Sequence, residues 1–186
     1  SELVDYPILC LCFYRKNKNQ SMSNLEIIQQ KIFRPDDKKL KSLLATVSFQ
    51  GKKVVFTNGV FDLLHLGHID YLSKAKDLGN FLIVGINSDN SARRLEKGAN
   101  RPIKDEISRS TIMASLRFVD MVIIFDEETP YEVIKMVQPD ILVKGSDYQP
   151  KDIVGYDIVS AKGGEVVTID FLPGYSTTAI EKKIKK

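Results

Sequence analysis

The sequence predicts an α/β protein in which a parallel sheet of five strands carries helices on both faces, preceded by a helical N-terminal extension. Two observations support this prediction. Short continuous runs of Val, Ile and Leu recur after residue 51, and segments with apolar residues at helical spacing lie between them. Continuous apolar strands are typical of sheets buried on both faces, and strands that alternate with helices are typical of parallel connections.

Length and composition limit the classes of protein to which the chain can belong. Its 186 residues suit one domain with an appendage, and 43% hydrophobic with 27% charged residues is typical of a soluble globular protein. No apolar run reaches the roughly 18 residues of a membrane span, and a net charge of +3 is too small to indicate a nucleic-acid binder. Cys10 and Cys12 lie too close for an easy disulfide and have no zinc-ligand partners, which favours a reduced, cytoplasmic protein.

Residues 1–50 differ from the rest of the chain and are interpreted as the N-terminal extension. Residues 1–21 combine an apolar and a basic run without the features of a signal peptide, and we interpret them as sequence upstream of a natural start at Met22. Within residues 24–46, apolar positions at helical spacing are interrupted at Pro35, which predicts two helices. The functional domain is expected to span residues 51–186.

The elements of that domain follow from its hydrophobic pattern. Apolar runs predict strands at 53–57, 81–86, 121–125, 140–143 and 165–171. Helical spacing predicts helices at 67–78 and 105–118, after Pro130, at 157–161 and from about Ser176. Residues 88–104 are polar and rich in basic side chains, which predicts a surface loop or a short helix. The closing lysines, Lys182, Lys183, Lys185 and Lys186, are assigned only to a helix dipole and to solubility.

The segments that follow the strands are the candidate site, because ligands of an open parallel sheet bind beyond the carboxyl ends of its strands. Neither a P-loop nor a Gly-x-Gly-x-x-Gly fingerprint is present. The only two histidines, His65 and His68, follow the first strand where a loop turns into a helix. The free N–H groups of a helix start favour an anion, and Gly59 and Gly67 allow a phosphate to approach the backbone.

This segment, Thr57-Asn-Gly-Val-Phe-Asp-Leu-Leu-His-Leu-Gly-His68, resembles the motif of the His-x-Gly-His nucleotidyltransferases, in their cytidylyltransferase-like branch. The run from about residue 51 to 184 resembles more closely the heptose 1-phosphate adenylyltransferase domain of bacterial ADP-heptose synthesis, a route to lipopolysaccharide. The further shared signatures are Val84-Gly-Ile-Asn-Ser-Asp89, Arg101-Pro-Ile, Leu142-Val-Lys-Gly-Ser-Asp-Tyr148, Gly163-Gly-Glu-Val and Ser176-Thr-Thr178.

The resemblance implies a Rossmann-like sheet and the transfer of a nucleoside monophosphate from an NTP, with ATP expected, to a sugar phosphate, with release of pyrophosphate. The expected acceptor is D-glycero-D-manno-heptose 1-phosphate. The partners are then these two substrates, without nucleic acid or membrane, and homodimers are common among relatives. Mg²⁺ is expected to be held mainly by the NTP phosphates, without a metal site made by the protein.

The resemblance also implies roles for individual residues. His65 and His68 contact the triphosphate, and Asp62 binds the loop or helps to order Mg²⁺ and phosphate; these three are the catalytic candidates. The nucleotide- and phosphate-binding candidates are Thr57, Asn58, Gly59, Phe61, Gly67, Arg94, Lys97, Arg101, Arg109, Lys144, Gly145, Asp147, Ser176, Thr177 and Thr178.

Several of these residues also have a purely structural interpretation. Asp62 could cap a loop or helix, Arg109 could be a surface arginine, and the basic run from Arg93 to Lys104 could be a solvated face. The expected chemistry needs no strong base, because the attacking phosphate oxygen is already ionised, so that positioning and electrostatic stabilisation suffice. An imidazole with its usual pKa of about 6.5 can gain a proton beside a phosphate.

Alternative functions stay open at this point. The nearest is another enzyme of the same superfamily, such as a CTP-dependent cytidylyltransferase for glycerol phosphate or a similar phosphorylated alcohol. Those for glycerol phosphate carry an arginine shortly before Ser-Thr-Thr, where this chain has Asp170-Phe-Leu-Pro, and Lys144 is a candidate to replace that cation. A catalytically silent nucleotide-binding protein is the alternative of a different class. An aminoacyl-tRNA synthetase is excluded by the short chain and by the lack of a Lys-Met-Ser-Lys-Ser loop.

Overall fold

The computed structural model describes residues 22–95, 101–146 and 149–184. The strands are β1 (Ile32–Phe33), β2 (Val54–Gly59), β3 (Phe81–Asn87), β4 (Met121–Phe125), β5 (Ile141–Gly145) and β6 (Glu165–Ile169). The helices are α1 (Asn24–Gln29), α2 (Lys38–Phe49), α3 (Leu66–Asp77), α4 (Asp89–Arg94), α5 (Glu106–Ser115), α6 (Tyr131–Val137), α7 (Tyr156–Ala161) and α8 (Thr177–Ile184). A short 3-10 helix covers Pro150–Asp152.

The strands form one sheet in the order β1-β4-β3-β2-β5-β6, and every neighbouring pair is parallel. The prediction of an α/β fold with a parallel sheet is confirmed, but the count of five strands was wrong. The additional strand is β1, whose Ile32 and Phe33 pair with Val122 and Ile123 of β4. A strand of two residues is too short to show a hydrophobic period, and Ile32 also fits the helical spacing of apolar residues within 24–46.

The chain from Asn24 onward packs against the sheet as part of the same core. Leu40 and Val47 of α2 are fully buried among residues of the strands and of α6. Lys31 donates hydrogen bonds from Nζ to the carbonyl oxygens of Ala114, at 3.1 Å, and Val119, at 2.9 Å, both in or after α5. The two helices predicted around Pro35 are present as α1 and α2, joined through β1.

Apolar side chains cover both faces of the sheet, as the continuous hydrophobic strands predict. Phe56 and Leu142 belong to the core on one face, with α2, α6 and α7, whereas Val55 and Val143 belong to the core on the other face, with α3 and α5. Successive strand residues point to opposite faces, so both cores draw on the same strands. In the described part of the chain, no helix is both long and apolar enough to span a membrane.

The strand order determines where a ligand can bind. Without the edge strand β1, the order β4-β3-β2-β5-β6 is that of a Rossmann-like sheet, in which the chain winds outward in two directions from β2. The switch point lies between β2 and β5, and the crevice of such a sheet opens beyond the carboxyl ends of these two strands. Asn58 and Gly59 end β2, and Lys144 and Gly145 end β5.

Candidate active site

The two histidines lie together where the segment after β2 becomes α3. His65 immediately precedes the helix and His68 lies in its first turn. Their rings are stacked, with centroids 3.8 Å apart and planes at 20°, and the ring of Phe61 meets His68 edge-on at 5.3 Å. His65 makes no side-chain capping bond to α3. Its imidazole therefore does not cap the helix.

Three buried polar atoms of this segment have no hydrogen-bond partner in the described part of the chain. They are Asn58 Oδ1, His65 Nδ1 and His68 Nδ1. A buried polar atom without a partner costs about 1–3 kcal/mol, and such atoms are rare in folded proteins. Their concentration in one segment at the sheet's switch point marks a site where polar groups are available to a bound molecule.

Burial keeps both imidazoles neutral at neutral pH. It lowers the pKa of His65. For His68, burial and the charge of nearby His65 lower the pKa to about 4. A hydrogen bond with the Leu63 backbone raises this pKa, but its effect is smaller. The sequence led us to expect an ordinary pKa; the tertiary packing shifts it downward. A phosphate placed beside the ring acts in the opposite direction, because it favours the protonated form.

The stability of the protein is expected to fall in acid partly because of His68. The pKa of this group is about 4 in the folded protein and about 6.5 in an unfolded chain. The unfolded chain therefore binds more protons between these values, and the free energy of unfolding decreases as the pH falls from about 6.5 towards 4.

Urea unfolding of the wild-type protein and of His68→Gln at several pH values measures this effect. The variant lacks the imidazole and should lose less stability in acid than the wild type, while the carboxylates contribute similarly to both. A stability difference between the two proteins that stays constant from pH 7 to about pH 4.5 would contradict the prediction.

Asp62 holds a second loop against the histidine segment. Its buried carboxylate accepts hydrogen bonds from Arg101 Nη1 at 2.8 Å and from the backbone N–H groups of Ile103, at 2.8 Å, and Lys104, at 2.9 Å. Burial raises the pKa of Asp62, but these hydrogen bonds and the charge of Arg101 outweigh it, so that the pKa lies below its usual value. Because both carboxylate oxygens are engaged, Asp62 positions Arg101 and the loop that contains it.

The guanidinium group of Arg109 is fully buried and joins three segments of the chain. Nη2 donates to Asp89 Oδ1 at 2.8 Å, Nη1 to the carbonyl oxygen of Val60 at 2.8 Å, and Nε to that of Lys104 at 3.0 Å. It is therefore neither a surface arginine nor open to the crevice. The sequence signature that ends at Asp89 gave this residue no role; the available signal was an acidic residue at the start of a helix that directly follows a strand.

Thr57, Gly59 and Gly67 shape the segment around the histidines. Thr57 is fully buried, and its hydroxyl lies 2.8 Å from that of Tyr71, so it supports β2 against α3. A Cβ atom at Gly59 would lie 3.0 Å from the ring of Phe61, which itself has a left-handed backbone with φ of 48°. A Cβ atom at Gly67 would lie 3.1 Å from the ring of His65. Side chains at either glycine would crowd the histidine segment.

The carboxyl end of β5 approaches that of β2. Lys144 donates from Nζ to the carbonyl oxygen of Asn58 over 3.4 Å, and Gly145 is the last residue of β5. Arg94 donates to the backbone carbonyl of Asp126 and lies 3.5 Å from its carboxylate. Lys97 and Asp147, which the sequence also selected, lie outside the described residues.

The turn before α8 borders the same segment. It contains Gly174, with φ of 83°, Tyr175 and the exposed Ser176, and α8 begins at Thr177. A Cβ atom at Gly67 would lie 3.1 Å from Cβ of Tyr175, which places this turn beside the start of α3. The structure thus brings together the ends of β2 and β5 and the starts of α3 and α8, while Thr57 and Arg109 serve the scaffold.

Comparison with known proteins gives consistent matches. A family model described as cytidylyltransferase-like matches residues 56–183. The chain is 57% identical over 136 residues to the bifunctional protein HldE of Nitratiruptor sp., covering 73% of this chain and 28% of that protein. It is 54% identical over 152 residues to the bifunctional protein HldE of Campylobacter jejuni, covering 80% of this chain and 32% of that protein. The chain spans less than a third of the length of these curated relatives.

Solved structures agree with the fold. The crystal structure of a lipopolysaccharide core biosynthesis protein from Thermoplasma volcanium matches with a TM-score of 0.56 and 34% identity, covering 66% of this chain and 99% of that chain. Pantoate-beta-alanine ligase from Francisella tularensis matches with a TM-score of 0.55, covering 83% of this chain and 77% of that chain. At 18% identity, this second similarity shows the fold alone.

Proposed function

This chain belongs to the cytidylyltransferase-like family, and from that premise we propose that it transfers a nucleoside monophosphate from an NTP to a sugar phosphate, releasing pyrophosphate. The proposed NTP is ATP and the proposed acceptor is D-glycero-D-manno-heptose 1-phosphate. The acceptor is supported by the signatures shared with the heptose 1-phosphate adenylyltransferase domain, and by the similarity to a protein named for lipopolysaccharide core biosynthesis.

The observation that carries the proposal is the pair of stacked imidazoles at the start of α3. Their Nδ1 atoms are buried without partners in the described part of the chain, and they lie at the switch point of the sheet. The first N–H groups of α3 point out of the helix end, where the helix dipole favours negative charge. Together these groups form an environment for a polyphosphate, which is the part that all NTPs share.

The proposed reaction needs little from the protein besides position and charge. An oxygen of the acceptor phosphate attacks the α-phosphorus, and pyrophosphate leaves, so negative charge grows on the transferred and leaving oxygens. His65 and His68 stabilise this charge as hydrogen-bond donors, and a phosphate beside them favours their protonation. Asp62 keeps Arg101 beside the segment, and Ser176 and Thr177 present polar groups at the start of α8.

We propose that Mg²⁺ reaches this site bound to the NTP, with ligands mainly from phosphate oxygens and water. Among the residues in the described ranges, no group of three or more His, Cys, Asp or Glu side chains is arranged to hold a metal ion. The carboxylate of Asp62 is already engaged by Arg101 and by two backbone N–H groups. When bound, the ion would neutralise part of the phosphate charge.

A matrix of substrates tests this function directly. The four common NTPs are each combined with heptose 1-phosphate, glycerol phosphate and phosphoethanolamine, and release of pyrophosphate is measured. We expect the highest rate with ATP and heptose 1-phosphate. Turnover only with CTP and a phosphorylated alcohol would replace the proposal with the cytidylyltransferase alternative. NTP binding without turnover of any acceptor would make the chain a silent nucleotide-binding protein.

A further inference from the structure

The N-terminal extension contacts α5 at both of its ends. At the start of the helix, Arg34 Nη2 donates to Oε1 of Glu106, the first residue of α5. At the other end, Lys31 Nζ donates to carbonyl oxygens in and after the last turn, those of Ala114 and Val119. Lys31 and Arg34 flank β1, which is held in the sheet by its pairing with β4. The extension therefore fixes α5 at two points.

Glu106 connects Arg34 with the start of α4. Its second oxygen, Oε2, accepts a hydrogen bond from the backbone N–H of Asp89 at 2.8 Å. The carboxylate of Asp89 in turn accepts a hydrogen bond from the buried Arg109 at 2.8 Å. Two arginines and two carboxylates thus form one cluster, in which Arg34 balances the negative charge that Glu106 adds beside Asp89.

Arg109 extends this cluster to the segments of the candidate active site. It donates to the carbonyl oxygens of Val60, at 2.8 Å, and Lys104, at 3.0 Å. Val60 lies two residues before Asp62, whose carboxylate accepts the N–H of Lys104 at 2.9 Å. A continuous series of hydrogen bonds therefore leads from Arg34 to both sides of the contact between Asp62 and Lys104.

The exposure of the ion pair between Arg34 and Glu106 indicates a small role in stability. The two side chains are 48% and 20% exposed, and exposed ion pairs contribute little to the free energy of unfolding. Without Arg34, however, the carboxylates of Glu106 and Asp89 repel each other with one cation fewer beside them. Catalytic groups need to be held within about 0.5 Å of their productive positions. A displacement too small to unfold the protein is therefore enough to slow a reaction.

We propose that Arg34 is a positioning residue for the transfer reaction. It acts through Glu106 and Arg109, which fix the segments that contain Asp62 and Lys104. The inference rests on the transfer reaction proposed above. Arg34 is engaged by a carboxylate of the protein and exchanges no proton with a substrate. Its contribution is therefore expected in kcat, which depends on the position of the histidine segment, and much less in the KM for either substrate.

Arg34→Gln tests this role, because it removes the charge and keeps most of the side-chain length. We expect kcat to fall between about twofold and thirtyfold, the range in which residues that contact no ligand alter the coupling between sites. The KM values for the NTP and for the acceptor should change less than kcat. Arg34→Lys should recover part of the lost rate, because it restores the cation beside Glu106.

Lys41→Gln is the matched control. Lys41 is an exposed residue of α2 in the same extension, and this substitution changes the net charge of the protein by the same amount. It should leave kcat at the wild-type value. A kcat for Arg34→Gln equal to that of Lys41→Gln would overturn the positioning role.

A double-mutant cycle with Glu106→Gln shows whether Arg34 acts through its partner. In a protein that already carries Glu106→Gln, the further change Arg34→Gln should lower kcat much less than it does in the wild type. Effects of the two substitutions that simply add would contradict the proposed route through Glu106.

Hydrogen exchange of backbone amides separates this inference from the proposed function, because it requires no turnover. The N–H groups of Ile103 and Lys104 are bonded to Asp62, and they should exchange faster in Arg34→Gln than in Lys41→Gln. Faster exchange in a protein that turns over no acceptor would overturn the transfer reaction and leave Arg34 as the residue that holds this loop. Turnover with equal exchange and equal kcat in the two variants would overturn the role of Arg34 and leave the reaction standing.

Discussion

His68→Ala is expected to lower kcat by two to three orders of magnitude while the protein keeps its fold. Removal of one preorganised donor from a site that stabilises developing charge costs about 10²–10³ in kcat. His68 stacks on His65 with ring centroids 3.8 Å apart and meets Phe61 edge-on, so the loss also removes the support that orients His65. The fall in kcat should therefore be larger than the fall expected from the loss of a single exposed contact.

Steady-state kinetics with the best substrate pair, together with NTP binding by calorimetry, measure this effect. We expect the affinity for the NTP to change much less than kcat, because the interaction is strongest with the charge of the transition state. Thermal unfolding provides the control for an intact fold. A near-normal kcat in a folded His68→Ala protein would remove His68 from the mechanism, whichever substrate pair is used.

Asp89→Ala is expected to destabilise the protein by about 3 kcal/mol, because it leaves the charge of Arg109 buried without the carboxylate that pairs with it. The Arg109 side chain is completely buried, and the carboxylate of Asp89 pairs with it at 2.8 Å. The same guanidinium also donates hydrogen bonds to the carbonyl oxygens of Val60 and Lys104. The substitution should therefore also loosen the segment that contains Asp62 and the loop that is bonded to Asp62 through Lys104. For a chain of this size, about 3 kcal/mol corresponds to a fall in Tm of roughly 6–12 °C.

Asp70→Ala is the matched control for this prediction. Asp70 pairs with Lys74 at 2.7 Å on the surface of α3, and exposed pairs of this kind contribute about 0–1 kcal/mol. Urea unfolding of the two variants compares a buried with an exposed ion pair in one protein. Equal losses of stability would show that the hydrogen bonds of Arg109 do not hold the three segments together.

Much of the scaffold could be predicted because its signals are local. Residues 121–125 form β4 with the predicted bounds, and the helix predicted over 105–118 is present as α5, three residues shorter at its C-terminal end than the pattern indicated. Hydrophobic runs and turn residues span only a few positions, so each can be recognised within a single segment of the sequence. β1 was missed because its two residues are a strand only through pairing with β4, about ninety residues away.

The candidate site also has features that could be predicted from the sequence and features that could not. The histidine motif, the glycines beside it and the Ser-Thr-Thr turn could be selected from their order along the chain. The buried environment of His68 and the link from Asp62 to Arg101 could not, because each depends on segments that are distant in sequence. Arg109 shows the difference most clearly: the resemblance placed it near the nucleotide, and the structure buries its guanidinium between the start of α4 and the segments that contain Val60 and Lys104.

The sequence by itself therefore determined the class of fold, the edge of the sheet that carries the candidate site, and the residues that make up the histidine segment. These follow from periodicity and from residue order, which require no knowledge of long-range contacts. Only the tertiary structure decided which charged residues are buried in ion pairs. Burial and ion pairing are properties of side chains brought together by folding, and Asp62 and Arg101, 39 positions apart in sequence, meet only there.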